Sequence, residues 1–483
     1  MRGTAVALLA VAGALAPCAA RPSWDGSARP VAEGAEAVVA SGGRARLRIE
    51  GISGIVEVSA GAPGVVRVRS TYGGRKARPL PVAVTEEGAD LVVRPPVGGR
   101  SAPRRLEVLV PERLAVRVAA ADTRVLVRGI SGEFQAEGRG LAVEAEDLAG
   151  PLAVDLEKGS LAASALGAGV QVTGADATVR VDGVAGDADV RLLGASHVTV
   201  SGVEGSLNVD VEEAVLTIRG VEGRADLRQR GGRASIEGLR RGGRLLLHGA
   251  SVLLARSEGE IVLEGDGDLR VEDLDASLRV EMVGGSLAGS GLRAGASIRG
   301  SGPARVDLAG VSGAIVVEGP AVATSIREAF STVEIRTTDA DVDVEGVSAP
   351  VAIRSEGGNV AGRRLTGGVS VSAVGGSVAL EGVIGPVQVE ADGPSVRVAW
   401  VSNSAQADSR IRNAGGGVDV GFGVAGSCRV EAESFEGTVE SDLRGVLVLE
   451  GGASAEGAVG EGGGPAVRVL ARDDVRLYGG RPE

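Results

Sequence analysis

The chain has 483 residues, and its 78 glycines amount to roughly twice the average share of about 7%. With 44% hydrophobic residues and no G-X-Y period, collagen and disorder are both excluded, and with only 2% aromatics the core must be built from Val, Leu, Ile and Ala. A formal net charge of −12 lacks the basic footprint that a general nucleic-acid binder needs.

At the N-terminus Met1-Arg2 precedes a small apolar run over 5–16 and then Pro17-Cys18-Ala19-Ala20. One positive charge, an apolar stretch too short to span a bilayer and small residues at its end describe a signal peptide over 1–20. Leu15-Ala16-Pro17-Cys18 resembles a bacterial lipobox, in which Cys18 is lipidated; Pro17 departs from the Gly, Ala or Ser of that pattern. Ordinary cleavage after Cys18-Ala19-Ala20 is the rival reading, and export follows from both. No later segment approaches ~18 continuous apolar residues, so no transmembrane helix is expected. Cys428 is the remaining cysteine, which leaves a structural disulfide without a pair.

Residues 21–44 are rich in Pro, Gly, Ser and Ala and lack periodicity, which predicts a flexible tether. Over 45–118 the segments 65–69, 81–85, 91–94 and 106–111 read as strands around two basic loops, Arg75-Lys76-Ala77-Arg78 and Arg100 with Arg104-Arg105. This region predicts an N-terminal β cap that includes the first coil, because a solenoid core needs its open end covered.

From 119 to 480 one phrase keeps returning: VRVDGVAG (179–186), VTVSGVEG (198–205), LTIRGVEG (216–223), VDLAGVSG (306–313) and VALEGVIG (378–385). The corner most often held by glycine recurs at 129, 147, 165, 183, 202, 220, 238, 256, 273, 291, 310, 328, 346, 364, 382 and 400, always at steps of 17 to 19. An apolar residue follows in nearly every copy, from Ile130 and Leu148 to Val383 and Val401. Within a copy the residues alternate: Val179 and Val181 point one way, Arg180 and Asp182 the other. After the corner, Ala188, Val190 and Leu192 turn inward. The pattern predicts two short strands per coil, with room for a third side near Gly194-Ala195.

Since one coil cannot bury its own apolar face, coils must stack as parallel sheets around a shared core. The fold class is therefore all-β, a single parallel β-helix of about eighteen residues per coil, right-handed by the general preference of parallel crossovers. About eighteen coils at ~4.8 Å make a rod of about 85 Å. A left-handed hexapeptide helix would need an aliphatic residue every six positions, whereas Val198 and Val200 sit two apart. Register also predicts charge ladders. Arg327, Glu345, Arg363 and Glu381 are each 18 apart, and Arg128 with Glu146 and Arg219 with Glu237 repeat the spacing. Opposite charges on neighbouring strands contribute ~0.2–1 kcal/mol each, which points to register control on a solvated face.

Each candidate for chemistry has a structural explanation. GFGVAG (421–426) matches a dinucleotide fingerprint, but that site needs a helix after the third glycine, and the following SCRVEAES alternates like a strand. Asp341, Asp343 and Glu345 share an outward strand face but lack the glycine and distant Glu of an EF-hand loop, and Gly265-Asp266-Gly267-Asp268 does not follow the calcium nonapeptide. His197 and His248 lie in separate coils and offer no zinc spacing, and Ser196-His197 are neighbours in a turn rather than part of a triad. Polysaccharide cleavage by paired carboxylates is the serious enzymatic rival, although sugar clefts usually present aromatic platforms. Arg240, Arg241 and Arg244 form a third basic group that, like the cap loops, could meet anionic headgroups or acidic polymers. No catalytic, cofactor or metal residue is assigned, and no cofactor is expected.

The opening LRIEGISGIVEV (47–58), the strand LEVLVP (106–111), the G-V-x-G coils and the closing VRVL (467–470) and VRLYGG (475–480) resemble the adhesin-like family of β-strand repeats termed domain of unknown function 4097. The likeness covers about 45–480. It implies exported bacterial proteins with a β-helical body, an adhesin-like role and no established catalytic residues. The expected function is a non-catalytic, exported rod or binding surface at the cell envelope, outer-membrane-anchored through Cys18 or periplasmic. Its expected partner is a cell-surface or envelope component or polymer and no nucleic acid, with membrane contact through the lipid anchor only. A self-assembling periplasmic scaffold is the alternative, and a polysaccharide-active β-helix enzyme a third reading.

Overall fold

The computed structural model describes residues 30–34, 36–72, 78–79, 82–95, 105–401, 407–423, 427–461 and 463–479. The predicted signal peptide with Cys18, residues 75–76, 100 and 104 of the basic loops, and 424–426 of GFGVAG lie outside these residues. Among the described residues there are 47 strands, β1–β47 in chain order, and no helix. The shaft runs from β10 (Ala115–Ala119) and β11 (Thr123–Arg128) to β40 (Ser409–Asn413) and β41 (Gly417–Phe422), about 17 turns. Each coil gives one strand to face A and one to face B. On face A, Phe134 lies beside Leu152, Leu152 beside Val170 and Val170 beside Ala188, all in parallel register. On face B, Val125, Val143, Leu161 and Val179 stack the same way.

Alternation decides which side each residue faces. Val118, Ala136, Val154, Val172 and Val190 form one buried inward column, with Arg117 and Ala119, Gln135 and Glu137 on the other side of the same strands. Aliphatic columns of this kind fill the rod from end to end as one core. It holds few aromatics: Phe134 is fully buried, and Trp400 stacks on Phe422 with ring centroids 5.9 Å apart.

The corner series has a conformational meaning. The residues at 129, 147, 165, 183, 202, 220, 238, 256, 273, 291, 310, 328, 346, 364 and 382 all have positive φ, between 47° and 73°. Asp147, Ala165, Arg256, Asp273, Glu328 and Arg364 accept this left-handed geometry where glycine would be unstrained, so the fold imposes the corner even against the local preference. The mark at 400 breaks the series: a register shift places Trp400 beside Val383, and its side chain fills the core position. A second left-handed ladder, including Asp122, Gly140, Lys158, Asp176 and Gly194, turns face A into face B. Gly194-Ala195 is thus a tight corner between the two faces; the short third side is the link after the first corner, as at Val184–Asp187. The coil-to-coil hydrogen bonding continues through these corners, as Gly140 N–H donates to Glu157 O at 2.8 Å and Asp176 N–H to Leu193 O at 3.0 Å.

Buried polar residues gather at the inward position beside that second corner: Gln229, Thr337, Ser355, Asn413 and Ser434. Corner backbone groups that leave the ladder need partners, and these side chains supply them. Asn413 Oδ1 accepts from Gly393 N and Gly415 N at 3.3 Å each, and its Nδ2 donates to Gly417 O at 3.1 Å.

The two ends depart from sequence order. At the N-terminal end are β1 (Pro30–Gly34), β2 (Glu36–Ala40), β3 (Arg46–Glu50), β4 (Gly54–Ala60), β5 (Val65–Tyr72), β6 (Arg78–Pro79), β7 (Val82–Glu87), β8 (Asp90–Arg94) and β9 (Arg105–Val110). The first coil, β3 with β4, is held between two later ones: β3 pairs in parallel with β8 and β10, and β4 with β9 and β11. Beyond β8 the strands β7 and β1 follow antiparallel, and beyond β9 so do β5 and β2. Strands β1 and β2 therefore replace the expected tether over 30–34 and 36–40: their partners, as in Ala40 beside Val65 and Pro30 beside Thr85, lie beyond the reach of local periodicity.

The C-terminal end repeats the device with β42 (Cys428–Ser434), β43 (Val439–Ser441), β44 (Val446–Val448), β45 (Ser454–Val459), β46 (Ala466–Ala471) and β47 (Val475–Gly479). The last strands, β46 and β47, slot between β40/β41 and β42/β43. The segment VRVLARDDVRLY (467–478) therefore lies inside the rod rather than at its end; β42–β45 form the distal tip. The shaft plus the two parallel rungs at each end give twenty-one rungs, about 100 Å at ~4.8 Å each.

Candidate functional surfaces

The predicted ladders are in register: Arg327 stands beside Glu345, Glu345 beside Arg363, and Arg363 beside Glu381. The ion pairs do not simply follow the column. Glu345 takes Arg364 across the corner at 2.6 Å, Glu237 takes Arg256, and Arg397 is the nearest cation to Glu381 at 3.9 Å. Arg128 and Glu146 do pair directly, at 3.0 Å. Long guanidinium arms reach a neighbouring corner as easily as the next rung. Solvent screening keeps each such exposed pair to ~0–1 kcal/mol.

The acidic stretch is spread among structural partners. Asp341 Oδ1 accepts from Asn359 N at 2.9 Å and Asn359 Nδ2 at 3.2 Å, and a polar column continues through Ser377 N to Asn359 Oδ1 at 3.1 Å and Ser395 Oγ to Ser377 Oγ at 3.1 Å. Asp343 Oδ1 is buried without a hydrogen-bond partner. Asp268 accepts from Ser286 Oγ at 2.6 Å, and Asp266 lies 3.2 Å from His248 Nδ1. His197 is on face B, between Thr178 and Val215, so the structure does not bring the two histidines together. Among the described residues no three His, Cys, Asp or Glu side chains converge as a metal-ligating group. Gly421 and Phe422 end β41, and the next described element after Gly423 is strand β42, so no helix offers its N-terminus to a pyrophosphate among the described residues.

The surface has shallow depressions. One of about 550 Å³ is lined by Asp187, Glu204, Glu222, Arg240, Arg241 and Glu258. Arg240 lies 2.5 Å from Glu258 and 3.8 Å from Glu222, and Arg244 2.7 Å from Glu264, so two members of the predicted basic group are ion-paired. A second, of about 380 Å³, is walled by Val316, Pro350, Ala352 and Pro386 with Thr332 and Gln388. Neither carries an aromatic platform. In the cap Arg105 pairs with Glu57 at 2.7 Å and Glu107 at 3.2 Å. Arg94 bridges Glu50 and Glu87, tying β8 to β3. Burial works against the Glu50 carboxylate, but hydrogen bonds and charge from Arg94 and Arg48 outweigh it and hold Glu50 below the usual carboxylate range.

The distal tip was missed by sequence reasoning. Among the described residues Phe435 (65% exposed), Leu447 (71%), Val448 and Leu449 bring four of the twelve exposed large hydrophobic side chains within fifteen residues, while the others are scattered along the rod. The readable signal was VLVL at 446–449, four large apolar residues in a row where the coils hold at most three. Against known proteins the chain finds no match, whether among family profiles, curated proteins or solved structures.

Proposed function

We propose that the chain is a non-catalytic, exported rod of the cell envelope, held through its N-terminal segment with Cys18 as the lipidated residue, and similar in role to the adhesin-like repeat family. The observation that supports this reading is the continuous parallel stacking of about 17 turns, whose outward faces carry paired charge while the inward columns form one aliphatic core. Such a body sets a fixed distance and offers a long repetitive surface to a partner or polymer. A polysaccharide-active enzyme is disfavoured by the placement of the aromatics: Phe134, Trp400 and Phe422 are buried, and the exposed Phe330 and Phe435 line neither depression.

Protease shaving of intact cells, with palmitate labelling of the native chain and of Cys18→Ala, tests the proposal. Labelling and external cleavage of the native chain, with neither for the variant, supports a surface lipoprotein. Protection together with absence of label removes the surface reading and leaves the periplasmic scaffold.

A further inference from the structure

Solenoid caps ordinarily present a polar outer face, and sheet edges are ordinarily blunted by charge, proline or a bulge. Strand β44 has none of these: it reads Val446-Leu447-Val448 and is followed by Leu449. It pairs with β45 and, among the described residues, with nothing on its other side. The corresponding edge on face B is covered, since Val439 N of β43 donates to Gly452 O at 2.7 Å. The tip therefore has one open strand edge.

Register shows what this edge offers. Ala458 N donates to Gly445 O at 3.0 Å and Leu449 N to Ser454 O at 2.8 Å. In an antiparallel ladder alternate residues bond across the pair, so Gly445, Leu447 and Leu449 face β45 while the peptide groups of Val446 and Val448 face outward. Val446 N is taken by Leu443 O at 3.4 Å, which leaves Val448 N–H, Val448 C=O and Val446 C=O without partners among the described residues. The side chains divide just as clearly. Val446 and Val448 continue the inward columns of Val430 and Ala432, and Val448, at the end of the core, is 42% exposed. Leu447 continues the outward column of Glu431 and Glu456.

Charge sets the kind of partner. Residues 427–461 carry 2 Lys and Arg against 8 Asp and Glu, an excess of six negative. Glu431, Glu436 and Glu440 are paired with Arg468, Arg472 and Arg476. Glu456, beside Leu447, and Glu450, next after Leu449, have no ion-pair partner among the described residues. We infer that β44 takes up, as an added strand, a short extended segment of another protein in which apolar residues alternate with Lys or Arg. Its apolar side chains cover Val448 and the end of the core. Its basic side chains lay their aliphatic stems on Leu447 and Leu449 and reach Glu456 and Glu450 with their charged heads. A second copy of this chain would instead bring another acidic tip to the edge. The inference goes beyond the rod reading and does not depend on lipidation or on the site of export.

A fluorescein-labelled peptide of alternating valine with lysine or arginine tests it by anisotropy, on the full chain in a Cys18→Ala background. Binding should saturate at one peptide per chain and weaken as salt screens the carboxylates. The same peptide N-methylated at alternate residues keeps its charge and apolar surface but loses the donors on one edge, and should not bind. Val448→Pro removes the one free N–H of the edge and should weaken binding by about tenfold or more, while Val283→Glu on the shaft leaves it unchanged. Protection of buried Cys428 from alkylation shows whether the tip of Val448→Pro is folded; if it is not, the N-methylated peptide on the native chain decides alone. Equal binding of the two peptides, an unweakened folded Val448→Pro chain, or no binding at low salt would each overturn the inference. So would a dimer of the native chain that Val448→Pro dissolves, since the occupant would then be a second copy.

Discussion

Two glycines nine residues apart in one coil separate conformational need from coil stacking. Gly129 has φ +63°, and a methyl placed on it would meet no heavy atom within 4 Å, whereas a methyl at Gly138 would lie 1.7 Å from the carbonyl oxygen of Ala120 in the neighbouring coil. Gly129→Ala should cost ~1 kcal/mol or less, because the left-handed penalty of ~1–2 kcal/mol is partly offset by ~0.4–1 kcal/mol of lost unfolded-state entropy. Gly138→Ala forces the two backbones apart, which adds ~1–3 kcal/mol of overpacking to a backbone penalty of ~1–2 kcal/mol, about 2–5 kcal/mol in all. A rod of nearest-neighbour coils does not unfold in one step, so a global melt would dilute the difference. Native-state hydrogen exchange reads it locally. The amides of Asp122, which donates to Arg139 O, and of Gly140, which donates to Glu157 O, should exchange on the order of a hundredfold faster in Gly138→Ala and less than about tenfold faster in Gly129→Ala. Equal acceleration in the two variants would refute the view that Gly138, two residues before the second corner, is glycine because the coils touch there.

Asn413→Leu should destabilise the distal shaft by about 2–4 kcal/mol even though it makes the core more apolar, since it strands two amides and a carbonyl; the urea midpoint followed by Trp400 fluorescence checks this, and an unchanged midpoint contradicts it. Burial pushes the Cys428 thiol up to about 11. At pH 8 it should resist alkylation until urea unfolds the tip, and its contribution to stability, full below the unfolded value near 9, should fade as pH rises toward 11. Because Glu50 is held below its ordinary value, its contribution is present above the unfolded carboxylate range and lost as pH falls through the lower folded value. Exchange protection of β3 should therefore weaken in acid, and Glu50→Gln should flatten that pH dependence; an unaltered profile would exclude the Arg94 bridge as its source. A chain ending at Pro465 lacks the coil that joins shaft to tip, so dye binding to apolar surface and aggregation should rise; a monomer with a protected tip would argue against the interlock.

Most of the shaft was legible because its information is local and repeated. An apolar residue at every second position with a corner every 17 to 19 residues fixes the inward columns, and Arg327, Glu345, Arg363 and Glu381 took their predicted neighbours for that reason alone. The positive-φ corners at Asp147, Arg256 and Glu328 were recoverable from phase although no glycine marks them. Ion-pair partners were not, since an arginine side chain spans both the next rung and the next corner. Strands β1 and β2 escaped because a short run such as EAVVA carries too little alternation to identify itself, and its partners are distant in sequence. The exposed tip left one visible trace, VLVL, whose meaning depends on lying outside the repeat.

The interlocked ends follow from the same physics that makes the shaft regular. A solenoid is weakest at its last coil, which has a neighbour on one side only and frays first. Here β3 and β4 have partners above and below, and β46 and β47 likewise, the latter fastened to the tip by Arg468–Glu431 at 2.9 Å, Arg472–Glu436 at 3.1 Å and Asp474 to Thr438 N at 2.9 Å. The outermost strands of the tip, β43 and β44, belong instead to an internal loop that is tethered at both ends. Fraying of the tip must then open a closed loop rather than release a free tail. The cost falls on folding: β3 and β4 cannot complete their pairing until residues through 128 have been made, and the tip cannot dock on the shaft until the final strands arrive. Slow closure of these two long-range insertions, rather than growth of the shaft, should therefore limit the rate of folding.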